Sequence, residues 1–496
     1  MDIEIELKLL ASESAGQDIK NWLAVEYSNA VIMAPVDLAN FYYDTPDRQL
    51  RRADMGLRIR GCNQVFEQTI KTRGSSVGGL HQRPEYNVPL VKPVLDLRGF
   101  ESGIWPKNLD VEHLQNSLEV LFTTEFNRQI FVLTLNGGSV VEIVFDQGWI
   151  TTGTANNQTR VPICEVELEL KQGRPRALFS LAKQICLITA VRFGNLSKAA
   201  RGYYLVDGTP QKALCPIKLL PVTLDYNIEQ SFSLILEYGL NLWQTATADF
   251  FISQDLADLE LMLSAIKLLH YTIEVYQPWL SPQVLQPINR QLKTSIDQWQ
   301  WLEKALAYAS LSKPTSLFSK MLTSEQLYYV KSAAKNSPQL QHAQVQVKHP
   351  QELQLQLDIS LLLVDKAWRD DLFIYQQPLR NVIDERIQDY VPVKDASVSG
   401  QNIPWHEQLD HLNRRLTLQL IWGNTRSGNS QLPLNWWQRF AGTDELAQLS
   451  LVYTTLSECS DEDGVALQAC TSCFLQQLQY SKQALNQLLL AGPREG

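Results

Sequence analysis

The sequence predicts an α+β chain in which an antiparallel β-barrel, closed or nearly closed, is followed by an all-α helical bundle. Three observations lead to that class. Residues 1 to about 205 hold many short segments in which polar and apolar residues alternate, the period of a strand with one buried face. After Asp207-Gly208-Thr209-Pro210 the apolar residues recur at helical spacing instead. The polar faces of the strands carry Glu, Asp, Arg and Lys in preference to the Thr, Ser and Gln mixture of a solvated sheet. With the charged face turned inward, the barrel becomes a tunnel for a polar ligand, and helices cover its apolar outside.

Along the chain, strands are predicted at 3–10, 56–61, 64–71, 85–91, 126–135, 139–146 and 161–171, separated by Gly, Pro and Asn signals. Helical interruptions are predicted near 13–27, 110–120 and 174–188. Phe232, Ile235, Leu236, Leu240 and Trp243 then follow the spacing of one helix face, and Leu259, Met262, Leu263, Ile266, Leu269 and Ile273 form a second stripe. The remainder is rich in Leu, Gln and Trp, as in a bundle of amphipathic helices, with loops near 394–404 and 424–433. The domains are drawn at 1–205 for the barrel and 221–496 for the bundle, with a linker at 206–220.

At 496 residues the chain is too long for one small core. A net charge of −9 argues against a general nucleic-acid binder. No long apolar run and no basic leader is visible, so neither a membrane span nor a signal peptide is predicted, and a cytoplasmic location is expected. The 7 cysteines are scattered and odd in number, which suits a reducing compartment. Cys470-Thr471-Ser472-Cys473 lacks a second Cys or His pair at metal-ligand distance and reads as two helical thiols.

In Glu4-Ile5-Glu6-Leu7-Lys8 the three charged residues share one strand face, while Ile3, Ile5, Leu7 and Leu9 share the other. Like charges aligned on one face are costly unless something fills the space between them, and hard divalent cations favour carboxylate oxygens. The pattern returns in Glu165-Val166-Glu167-Leu168-Glu169-Leu170-Lys171, and Glu142 and Asp146 alternate in the same way. Opposite in sign are Arg58 and Arg60, Lys71 and Arg73, Arg83, Arg128, and Lys198 and Arg201. The guanidinium fork suits phosphate oxygens bidentately, and lysine supplies a compact point charge. Any one of these motifs is equally well a solvated strand face or a cross-strand ion pair. Their weight lies in co-occurrence on strands whose other faces stay apolar.

Taken together, Glu4-x-Glu6-x-Lys8, Tyr43-Asp44-Thr45, Leu57-Arg58-Ile59-Arg60, Thr69-x-Lys71, Arg128, Asp146, Glu165-x-Glu167 and Ser197-Lys198 resemble the CYTH, or triphosphate tunnel metalloenzyme, family over residues 1 to about 205. The resemblance implies an eight-stranded antiparallel barrel enclosing a tunnel, where a triphosphate is cleaved or rearranged with divalent metal. It implies that Lys8, Arg58, Arg60, Lys71, Arg83, Arg128 and Lys198 grip the phosphate oxygens. Glu4, Glu6, Asp146, Glu165 and Glu167 would hold Mg²⁺ or Mn²⁺, with two ions in the active complex, and Glu4, Glu6 and Lys8 would stand at the catalytic centre. Glu142 and Glu169 share the same faces, as ligands or their supports. Arg73 and Arg201 are weaker candidates, each equally well an exposed residue near the tunnel mouth. No Ser-His-Asp or Cys-His nucleophile is required, and His81 and His113 read as surface residues of a loop and a helix.

A CYTH domain followed by a helical domain resembles the two-domain inorganic triphosphatases of bacteria that end in a CHAD domain. CHAD domains carry a basic helix of the form H-x-x-R-x-x-x-R-R-x-R. The best match, Glu260 to His270, keeps only Lys267 and His270 of that basic character. Acidic residues outnumber basic ones beyond residue 211, so this degenerate CHAD-like bundle is a poor polyanion trap and its partner is unknown. His270 reads as a partly buried structural residue. The activity implied is hydrolysis of inorganic tripolyphosphate to pyrophosphate and orthophosphate, with neither nucleic acid nor membrane as a partner. The same tunnel also serves class IV type adenylate cyclases, thiamine triphosphatases and non-catalytic polyphosphate or nucleotide binding modules; the fused helical domain favours the triphosphatase.

Overall fold

The computed structural model describes residues 2–154, 157–208, 220–312, 324–336, 340–370 and 372–390, together with 414, 417, 418 and 420–422. The strands are β1 (Asp2–Ala11), β2 (Val31–Ile32), β3 (Val36–Asp44), β4 (Gly56–Cys62), β5 (Val65–Lys71), β6 (Ser75–Val77), β7 (Leu80–Leu90), β8 (Glu119–Thr134), β9 (Val140–Thr154), β10 (Asn157–Gln172) and β11 (Val191–Phe193). Hydrogen bonding runs β1-β10-β9-β8-β3-β4-β5-β7, and β7 pairs back onto β1, so eight antiparallel strands close a barrel. The short strands β11, β6 and β2 extend it from β1, β7 and β8.

The alternation read in the sequence sorts side chains across the barrel wall. Leu7, Leu9, Ile143, Phe145, Val166 and Leu168 face outward into a fully buried core, where each such side chain contributes about 2 kcal/mol. The cover consists of α1 (Ala15–Glu26) and α4 (Arg176–Ile188). Helix α4 buries Leu178, Leu181, Ala182 and Ile185, the i, i+3, i+4, i+7 stripe of an amphipathic helix. On another side of the barrel, α2 (Gln49–Arg52) and α3 (Val111–Ser117) bring Leu50 and Leu114 onto Leu57 and Ile70. The β8–β9 hairpin turns at Gly137 and Gly138, whose φ values of 102° and 83° lie where glycine alone is unstrained.

All the predicted strands and helices of this half are present. Strand β3 and helix α5 (Lys198–Val206) lie beyond those predicted. Strand β3 escapes the period-2 test because its inward residues Leu38 and Tyr42 are themselves apolar or aromatic. They join Phe122, Phe126, Ile150, Ile163 and Tyr203 in a second core that fills one end of the barrel. Helix α5 closes that end.

The chain divides into two compact units, Met1–Leu214 with Gln346–Ala367, and Cys215–Val345 with Trp368–Gly496. Beyond α5 the chain forms α6 (Ile228–Ser253), α7 (Leu256–Tyr276), α8 (Pro282–Gln298), α9 (Gln300–Ser312), α10 (Ser324–Asn336), α11 (Leu340–Val347) and α12 (Pro350–Asp365). Helix α12 belongs to the barrel unit. It buries Leu353 and Leu357 in the core over α4 and pairs Asp358 with Lys183 and Asp365 with Arg176. In the second unit, both predicted apolar stripes are buried along α6 and α7, and α6 opens with a capping box between Asn227 and Gln230. Helix α13 (Ile383–Tyr390) follows, and the described residues 414, 417, 418 and 420–422 are helical. The predicted loops at 394–404 and 424–433 and the Cys470–Cys473 pair lie outside the described residues. No helix among the described residues is long and apolar enough to cross a membrane.

Candidate active site

Inside the barrel lies a cavity of about 500 Å³. The barrel strands line it with side chains from their inward faces. Glu4, Glu6 and Lys8 come from β1, Arg58 and Arg60 from β4, and Lys71 from β5. Arg83 enters from β7, Arg128 from β8, Glu167 from β10 and Lys198 from the first turn of α5. Asp146 and Glu165 do not reach the cavity surface; both are fully buried against the same cations.

The deep end holds a cation surplus. Lys198 Nζ lies 2.5 Å from Glu165, 2.7 Å from Asp146 and 3.0 Å from Glu167. Lys8 Nζ is 2.7 Å from Glu167, Arg128 forms a fork on Asp146 and also meets Glu167, and Arg201 reaches Glu165 at 3.3 Å. Four cations therefore face three carboxylates. Burial alone would neutralise these groups, but the opposite charges win. Lys198, Lys8 and Arg128 hold the Glu167 carboxyl well below its ordinary value, while Glu165 and Glu167 hold Lys8 well above its own. Lys198 and Arg128 are raised in the same way, chiefly by Asp146. Of the two alternatives the sequence leaves for Arg201, the exposed one does not hold: it is a mostly buried member of this cluster.

The middle of the cavity is less compensated. Lys71 pairs with Glu4 and with Glu85, and Arg58 meets Glu85 at 3.4 Å. Lys71 and Arg58 hold the Glu85 carboxyl below its usual range against the effect of burial. Arg60 pairs with no carboxylate among the described residues; its Nε donates to Asn40 Oδ1 at 2.9 Å. Burial, then Arg58 and Arg128, push its guanidinium down to about 10.

Towards the other end the balance reverses. Glu6 stands opposite Glu169 across β1 and β10, and Glu169 stands opposite Glu142 across β10 and β9. Lys171 serves both Glu169, at 2.6 Å, and Glu142, at 3.6 Å. Burial raises the Glu6 carboxyl to about 7; Lys8 opposes this, and Glu167 and Glu4 add to it. Burial also raises Glu169, with Glu4 and Glu142 adding to it. Excess acid in a half-enclosed site is an environment that a divalent cation relieves. Arg83 lies at the rim, donating to the Thr72 carbonyl and to Asp54, and Arg73 is exposed beside Asp54.

Among the described residues, one group of carboxylates is gathered closely enough that it could hold a metal. Asp146, Glu165 and Glu167 offer oxygens within 4.8 Å of one another, although the Lys198 ammonium now stands among them. Glu4, Glu6, Glu169 and Glu142 form an acidic row beside Lys8, Lys71 and Lys171, but they are not gathered within that distance of one another. Carboxylate oxygens suit hard divalent cations better than softer ions.

Sequence reasoning missed Glu85, Tyr42, Asn40 and His81. Glu85 was visible as an alternate residue after Arg83. His81 is not a surface loop residue: β7 begins at Leu80, directly after the Gly78-Gly79 turn, and turns the imidazole into the cavity. Burial, aided by Lys8, lowers it to about 4. His113 is exposed on α3 as expected. In the helical unit, His270 is buried with Nδ1 2.8 Å from Asn289, and Lys267 pairs with Glu303.

Residues 2–203, which include the barrel, match the CYTH domain family. An inorganic triphosphatase of Haemophilus influenzae is 38% identical over 207 residues, covering 41% of this chain and 54% of that protein. The chain thus spans about half the length of the curated relative it matches. Among solved structures, an adenylyl cyclase homologue from Hippeastrum with dominant triphosphatase activity is 18% identical, covering 42% of this chain and 97% of its own, with a TM-score of 0.31. The CHAD domain of Ricinus communis is 15% identical, covering 57% of this chain and 93% of its own, with a TM-score of 0.36.

Proposed function

We propose that the barrel hydrolyses inorganic tripolyphosphate to pyrophosphate and orthophosphate with two divalent ions, Mg²⁺ or Mn²⁺. The observation that carries this reading is the charge polarity of one cavity, with surplus cations at the closed end and surplus carboxylates towards the other. A linear polyanion fits the first, and the metals that accompany it fit the second. The 38% identity to an inorganic triphosphatase supports the same substrate class.

Lys8, Arg128 and Lys198 bind phosphoryl oxygens that compete with Asp146, Glu165 and Glu167 for the same protons. Arg58, Arg60 and Lys71 hold the middle of the chain, and Arg83 receives it at the rim. Glu4 and Glu6, with Glu169 and Glu142 beside them, hold metal, and Asp146, Glu165 and Glu167 form the second acidic set. Bound metal supplies charge neutralisation on phosphate oxygens and a more acidic water. The protein's own part is to hold the chain extended within a fixed ring of donors, which is most of what phosphoryl transfer needs.

The test is a substrate panel of tripolyphosphate, pyrophosphate, ATP and thiamine triphosphate with Mg²⁺ and with Mn²⁺. Orthophosphate release is expected to be fastest from tripolyphosphate. Cyclic AMP from ATP, or preference for thiamine triphosphate, overturns the assignment, and tight binding without turnover makes the barrel a binding module.

A further inference from the structure

Tyr43-Asp44-Thr45 is part of the pattern shared with the family, yet it lies outside both the phosphate and the metal sets. Asp44 ends β3 and is fully buried. Its carboxylate accepts four hydrogen bonds. Oδ1 takes the N–H groups of Thr45 at 2.8 Å and Leu50 at 2.9 Å; Oδ2 takes the N–H of Arg51 at 3.0 Å and the hydroxyl of Tyr203 at 2.8 Å. The first three shape the connection into the short helix α2. The fourth reaches across the barrel end to α5, the helix that carries Lys198 and Arg201.

Helix α5 has 9 residues, too few to be stable on helix propensity alone. Ser197 caps its start, accepting from the N–H of Ala200 at 3.1 Å. Gly202 lets it lie directly on β8, since a Cβ there would come within 2.2 Å of the Phe122 ring. Its far end is held by Tyr203 on Asp44, with the Arg51 guanidinium 4.7 Å over the Tyr203 ring and Arg51 paired with Asp207. Burial and the Asp44 carboxylate push the Tyr203 phenol well above its usual value, so it remains a donor.

The other polar ties of α5 to the barrel are Arg201, on Glu165 and the Pro162 carbonyl, and Lys198, on Asp146, Glu165 and Glu167. The Lys198 tie is ionic and faces the cavity, and an incoming polyanion weakens it by drawing the ammonium away. The contacts of Tyr203 do not involve the cavity and persist. We infer that Asp44 and Tyr203 form a latch that keeps α5 in place while Lys198 changes partners, and that both are positioning residues for the phosphate chain. The inference rests on reading the barrel as a triphosphate site, because its effect on turnover passes through Lys198.

The experiment uses the full chain with Tyr203→Phe, which keeps the ring and removes the hydroxyl, together with Asp44→Asn, Lys198→Ala and the Tyr203→Phe/Lys198→Ala double variant. Without ligand, Tyr203→Phe is expected to speed amide exchange in α5 by about tenfold, the loss of one bond to a charged acceptor, and to leave β9 and β10 unchanged. With tripolyphosphate and Mg²⁺, the same variant is expected to raise KM by about five- to tenfold, and adding it to Lys198→Ala is expected to change nothing further. Unchanged exchange in α5, or losses that simply add in the double variant, overturns the latch. If Asp44→Asn fails to fold, Tyr203→Phe decides alone. Absence of turnover in the wild-type chain defeats the triphosphatase reading, and the exchange result then decides the latch by itself.

Discussion

Lys8 Nζ stands 2.7 Å from Glu167 Oε1, with the two residues directly opposite each other in the β1–β10 pairing. Glu167 is also shared by Lys198 and Arg128, so one carboxylate balances three cations. Glu167→Gln leaves those cations partly uncompensated in a buried site. Unfolding free energy is expected to drop by about 3–5 kcal/mol, as for other broken buried ion pairs. In metal-free solution the same variant is expected to bind tripolyphosphate more tightly, because the interior gains a positive charge. Urea denaturation and calorimetric titration in chelator measure the two effects, and weaker metal-free binding contradicts the charge assignment.

The stability of the metal-free protein is expected to carry two opposed pH dependences. The Glu6 carboxyl is raised from 4.5 to about 7, so the fold favours its protonated form and loses stability as pH rises through that interval. His81 is lowered from 6.5 to about 4, so the fold favours neutral imidazole and loses stability as pH falls through that interval. Each effect is worth about 3 kcal/mol at most, and they largely cancel where the intervals overlap. In Glu6→Gln only the rise from low pH should remain, and in His81→Gln only the fall towards neutrality. Identical pH profiles for wild type and both variants would falsify these environments.

The barrel was legible because its two chemistries alternate residue by residue. Leu7 and Leu9 go out to α1 and α4 while Glu6 and Lys8 go in, and nothing but a strand separates them at period 2. The residues on the cavity wall were legible for the same reason. Strand β3 was not, because at the filled end of the barrel inward Leu38 and Tyr42 are as apolar as their surroundings. The burial of Arg201 and His81 was not legible because it depends on α5 and on the early start of β7, neither of which local pattern reveals. The membership of α12 was also hidden, since a leucine stripe shows that a helix is covered and not by what.

Helix α12 should be needed for barrel stability despite lying some 140 residues beyond α5. Leu357 is fully buried in the core over α4, and Leu357→Ala is expected to cost about 2–5 kcal/mol in the full chain. Asp358→Asn removes a half-exposed pair with Lys183 and should cost less than about 1 kcal/mol. A chain ending near residue 208 would leave Leu178, Leu181 and Ile185 short of their cover, so it should unfold at lower urea than the full protein. Equal midpoints for the short and full chains would show that α12 adds nothing.

Arg60 separates binding from stability most cleanly. It lies in the cavity wall, bonded to Asn40, with Arg58 and Arg128 near enough to disfavour its charge. A partly buried cation without a carboxylate costs the apo fold, so Arg60→Gln should leave unfolding free energy unchanged or raise it. The same charge is held ready for a phosphoryl oxygen. A charge-assisted bond of this kind is worth about 1.5–3 kcal/mol, so KM for tripolyphosphate should rise by about tenfold or more. Arg60→Lys keeps the charge but loses the fork and the bond geometry to Asn40, and is expected to fall between the two. Kinetics and denaturation on the three proteins decide the matter. A destabilised Arg60→Gln with unchanged KM would make Arg60 a structural partner of Asn40 and remove it from the phosphate site.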